Sequence, residues 1–71
     1  MPTDVRRVLE AAGLMDAYDA RPPYQRNDYI GWIERAKRPE TRTKRMAQML
    51  AELEQGDVYM KMEWRGRREK A

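Results

Sequence analysis

From Thr3 to Gly56 the apolar residues return at helical spacing, and after Gly56 they alternate with polar ones. Val5, Val8, Leu9 and Ala12 fall at i, i+3, i+4 and i+7, which predicts a first helix with one apolar stripe. Thr3 is placed to cap it, and Asp4 sits beside the positive end of its dipole. Gly13 suits the left-handed residue that closes such a helix, with Leu14 packing back on the last turn. Leu14, Met15, Ala17 and Tyr18 predict a second helix of about two turns, closed at Arg21-Pro22-Pro23 because each proline disfavours helix in the residue before it.

A third helix is predicted from Tyr24 or Gln25 to about Lys37, with Tyr29, Ile33 and Ala36 on one face and Ile30 and Trp32 beside them. Gly31 inside it costs up to ~1 kcal/mol against alanine, which implies either a backbone passing close by or plain flexibility. The fourth helix starts at Pro39, whose missing N–H is no loss at a first helical position, with Glu40 on the favourable side of the dipole. Met46, Met49, Leu50 and Leu53 form its stripe, and Gly56 ends it. The expected core is Val8, Leu9, Tyr18, Tyr29, Ile33, Met46, Met49, Leu50 and Leu53.

Val58, Met60, Met62 and Trp64 alternate with Tyr59, Lys61, Glu63 and Arg65, the period of a half-buried strand. A lone strand has three outlets: pairing with its own copy in a dimer, adding to another protein's sheet, or lying across the bundle, which is the reading preferred. Arg65–Ala71 has nothing to bury and is expected to be disordered. The fold class is therefore all-α, a small bundle of about four helices with an extended or disordered C-terminal tail. Residues 1–56 form the single helical domain and 57–71 the tail.

With 71 residues and no cysteine, the chain must hold itself by packing, without disulfides. No apolar run approaches the roughly 20 residues of a membrane span, and MPTDVRR lacks a signal-peptide core, so a cytoplasmic protein is expected. Histidine, cysteine and serine are all absent, which removes the usual bases and nucleophiles and the usual zinc ligands. Asp28, Glu34 and Glu40 have simpler tasks: Asp28 near a helix start, Glu34 paired with Arg38 and Glu40 with Lys44 at i, i+4. The reading is no enzyme, no metal and no cofactor.

Charge is concentrated where the third helix meets the fourth. Arg35, Lys37, Arg38, Arg42, Lys44 and Arg45 face only Glu40 between positions 35 and 45, a local excess larger than the whole chain's net +3. Lys37, Arg38, Arg42, Lys44 and Arg45 are the candidate anion- or nucleic-acid-binding surface, with Arg38, Arg42 and Arg45 in one helical row. The competing reading is that Arg42 and Arg45 pair with Asp28, Glu34 or the carbonyls ending the third helix and so fix the angle between two helices. Met60, Met62 and Trp64 are a candidate strip for a protein partner.

Ala17–Gly56 resembles the helical domain of the bacteriocin-protection, YdeI/OmpD-associated family. The resemblance rests on Pro22-Pro23, Arg26, Tyr29-Ile30, Trp32-Ile33, Ala36-Lys37, Arg38-Pro39-Glu40-Thr41-Arg42, Arg45, Leu53 and Gly56. It implies an all-helical fold and a role in tolerance of bacteriocins or antimicrobial peptides. Tyr24 stands where the family commonly has a serine, which removes a helix cap worth ~1 kcal/mol. Many members carry this domain behind a separate N-terminal domain, where this chain has two short helices. The functional expectation is a non-enzymatic interaction or stress-tolerance module with an unknown protein partner, monomeric, with a dimer through the tail as an option. The alternative is a weak, non-specific nucleic-acid binder using the basic corner.

Overall fold

The computed structural model describes residues 1–56 and 58–63, with only the backbone of Met62 and Glu63. Trp64 and the segment 65–71 lie outside the described residues. Four helices follow in order: α1 Thr3–Ala12, α2 Met15–Asp19, α3 Pro23–Glu34 and α4 Pro39–Gln55. Two short antiparallel strands close the described chain, β1 Val58–Tyr59 and β2 Met62–Glu63.

Helix ends follow the local chemistry, with three corrections. Thr3 lies inside α1 and Pro2 takes the cap position; the Asp4 carboxylate instead accepts from the Val5 amide at 2.9 Å. Gly13 is left-handed at φ 70°, and the Leu14 amide reaches back to the Leu9 carbonyl at 2.9 Å, satisfying the end of α1. α3 begins at Pro23, earlier than the predicted Tyr24 or Gln25, because Pro22 supplies an extended entry and a proline at the first position loses no hydrogen bond. Tyr24 is thus not a cap but an exposed residue of the first turn. α3 stops at Glu34 rather than Lys37, since Pro39 holds Arg38 extended at φ −113°, ψ 145° and the chain must leave the helix before it.

Val5, Leu9, Tyr18, Tyr29, Ile33, Met46, Met49 and Leu53 make the core, and Val8 and Leu50 are half-buried against it. Val5 joins the core where Val8 was expected to lead, a shift of less than one turn on the same stripe. Each fully buried aliphatic side chain contributes about 1.5–3 kcal/mol. Among the described residues no backbone from outside its own helix lies close to Gly31: an added Cβ meets only the Arg35 side-chain end, at 3.4 Å.

The alternating segment after Gly56 is extended, but it does not run on as one strand. It turns at Met60-Lys61, both at positive φ (51° and 64°), and pairs with itself, Val58 opposite Glu63 and Tyr59 opposite Met62. A left-handed residue other than glycine costs about 1–2 kcal/mol. The cost is offset because the two successive amides of the turn converge on one buried carboxylate, Glu52, at 2.7 Å and 2.8 Å.

Candidate functional site

At the corner between α3 and α4 the basic residues divide into two sets. Arg42 turns inward: its Nε donates to one Asp4 oxygen at 2.6 Å and its Nη2 to the other at 3.0 Å, while Nη1 reaches the Ile33 carbonyl at 3.4 Å. Arg45 donates to the Trp32 carbonyl at 2.6 Å and lies over the Trp32 ring, 5.3 Å from its centre. Both arginines therefore meet carbonyls in the last turn of α3, where the helix dipole is negative. The Arg42 guanidinium holds the Asp4 carboxyl below its ordinary value, and the same pair raises Arg42.

Lys37, Arg38 and Lys44 make the second set and are exposed. Arg38 is not in the row with Arg42 and Arg45, because it precedes the helix in an extended conformation. The expected pairing of Glu34 with Arg38 is absent, since the two no longer share a helix; Glu40 and Lys44 share α4 but, both exposed, make no ion pair within 4 Å. Asp28 and Glu34 are not the carboxylates that Arg42 uses. Asp28 lies in the middle of α3, not near its start, and accepts from the Tyr59 hydroxyl. Of the apolar strip, Met60 is half-buried against the core; the Met62 side chain and Trp64 lie outside the described residues.

A second polar cluster had no signal in the spacing. Glu52 is 4 % exposed, and besides the two turn amides it accepts from the Tyr29 hydroxyl and from Gln48 Nε2 at 3.0 Å. Arg21, 2 % exposed, donates to the Gln25 side chain at 3.0 Å and to the carbonyls of Glu52 and Val58 at 3.0 Å and 2.8 Å. Gln25 in turn donates to the Tyr24 hydroxyl at 3.1 Å. These contacts seat the hairpin on α3 and α4, and the Tyr59 ring completes the seat, edge-on to Tyr24 and Tyr29 with centroids 5.9 Å and 5.7 Å away. Burial, reinforced by Glu52, pushes the Tyr29 hydroxyl well above its ordinary value; burial and Asp28 push Tyr59 up to about 12. The only sequence hint was a glutamine and a glutamate in helical register with the apolar stripes, at Gln25 and Glu52.

The described residues thus form a small helical bundle with Lys37, Arg38 and Lys44 exposed at the corner between α3 and α4. The sequence profile of the bacteriocin-protection, YdeI or OmpD-associated family matches residues 1–56, and the chain belongs to that family. The match takes in α1 and α2 as well as the stretch from Ala17 on which the resemblance was read. No curated protein and no solved structure matches the chain. No helix among the described residues is long and apolar enough to cross a membrane.

Proposed function

We propose that the chain is a non-enzymatic interaction module of the stress-tolerance type its family name describes, presenting the α3–α4 corner to a protein partner with an acidic surface. The observation that carries this reading is the division of the corner: Arg42 and Arg45 are engaged by Asp4 and α3, while Lys37 and Arg38 on the connection and Lys44 on α4 stand exposed. A rigid backing lowers the entropy cost of docking on that face. The chain offers no histidine, cysteine or serine for catalysis.

The test is capture from lysate on the immobilised chain, with and without nuclease, beside the triple variant Lys37→Ala, Arg38→Ala, Lys44→Ala. A partner retained after nuclease treatment and lost with the triple variant supports the module. Retention abolished by nuclease moves the corner to nucleic acid instead. Three exposed cations then set a slope of log affinity against log salt of about −2 to −3.

A further inference from the structure

Away from the basic corner, Tyr18 of α2 and Pro23, Arg26 and Asn27 of α3 line an open cleft of about 270 Å³. Arg26 is half-buried, and its Nε is shielded from solvent with no acceptor among the described residues. Arg21, Arg42 and Arg45 all have acceptors, so Arg26 stands apart from the other partly or fully buried arginines described above. A buried donor on a charged group is costly to leave unmade, so this half-buried guanidinium is short of a counter-charge among the described residues. The Tyr18 hydroxyl reaches only the Arg26 carbonyl, at a long 3.4 Å, and keeps capacity for another partner. Burial raises that hydroxyl, while the Arg26 charge pulls it down and the Asp19 charge pushes it up, so both charges act at the cleft.

We propose that this cleft binds a small monocarboxylate, seated against the charge of the Arg26 guanidinium with its apolar body on Pro23 and the Tyr18 ring. A guanidinium pairs with a carboxylate through charge-assisted hydrogen bonds, and Asn27, whose side-chain amide is a donor, lines the same cleft. One cation balances one negative charge. A phosphate dianion would add a second negative charge near Asp19 and gain nothing from the proline and tyrosine surfaces.

The arginine Nε–Hε signals of the ¹⁵N-labelled chain test this directly, titrated at constant ionic strength with sodium propionate, propionamide and sodium phosphate. Propionate moves the Arg26 signal and the Asn27 side-chain amide along a saturable curve, propionamide does not, and the exposed Arg35 signal stays in place. Arg26→Gln weakens the remaining Asn27 response by about tenfold or more, the equivalent of one charge-assisted contact. Both arms use the full chain, and the wild-type titration stands whether or not the variant folds. N-acetyl-dialanine separates the sources of the carboxylate: tighter binding than propionate assigns a peptide terminus, weaker binding a free acid. The proposal is overturned by a response that never saturates, by equal shifts with propionamide, by saturation with phosphate at equal or lower concentration, or by a folded Arg26→Gln chain that binds propionate as the parent does.

Discussion

Asp4 and Arg42, 38 residues apart, share two hydrogen bonds, so the first turn of α1 is bolted to the first turns of α4. The same guanidinium reaches the Ile33 carbonyl, which brings a third helix into the joint. Arg42→Ala is therefore expected to lower the melting midpoint. Lys44→Ala, two residues further along α4 and exposed, is expected to leave it within the ±0.5 kcal/mol of ordinary surface changes. Equal, negligible shifts in a thermal melt of the two variants would return Arg42 to the exposed binding set.

The pH dependence of that joint has a definite sign. Asp4 has a lowered folded-state value, so its contribution is complete above the unfolded carboxylate value of about 3.9 and is lost as pH falls through the lower folded value. The midpoint difference between the parent and Arg42→Ala should be constant near neutrality and close only in acid. Melts at descending pH check this, and a difference that closes above pH ~5 would assign it to another group.

Tyr29→Phe removes the hydroxyl from the buried Glu52 carboxylate while keeping the ring. The loss of a hydrogen bond to a charged acceptor is expected to cost about 1.5–3 kcal/mol, read by denaturant unfolding. Ile33→Ala, with no polar partner to orphan, should cost about 2–5 kcal/mol through lost burial and a residual cavity.

Alkali should act on the hairpin seat. Tyr29 and Tyr59 are both raised in the folded chain, so their contribution is whole below the unfolded tyrosine value of about 10 and is lost as pH rises through the folded values, about 12 for Tyr59. Ultraviolet titration of tyrosinate should show at least these two hydroxyls ionising late and together with unfolding. Early, independent ionisation of all tyrosines would show that the seat is not formed.

Gly31→Ala should stabilise the chain by up to about 1 kcal/mol. The position is mid-helix, the added Cβ meets only a flexible arginine end at 3.4 Å, and the alanine removes backbone freedom from the unfolded state. A lower melting midpoint would reveal a close neighbour at Gly31.

The four helices were legible because their stripes and breaks are local: Val5 to Ala12, Gly13, Pro39, Met46 to Leu53 and Gly56 each declare themselves within a few residues. The inward turn of Arg42 was legible as a possibility, but its carboxylate was not, since Asp4 read as a dipole partner for its own helix. Arg21, Gln25 and Glu52 were missed for a related reason. A charged residue reads as solvated unless its partners are known, and the two carbonyls that accept from Arg21 lie 31 and 37 residues downstream. The hairpin turn was hidden because Met60-Lys61 contains neither glycine nor asparagine; its geometry is set by Glu52, not by turn-forming residues.

During synthesis the chain appears in order, and Glu52 emerges before the two amides that will satisfy it. Until residues 60 and 61 follow, α4 carries an uncovered carboxylate beside Tyr29, and Arg21 waits for the Val58 carbonyl. A bundle that stops at Gly56 therefore presents the Glu52 carboxylate and the Arg21 guanidinium to water on the flank that the Met60-Lys61 turn covers in the folded chain, so that flank is complete only once the hairpin is seated.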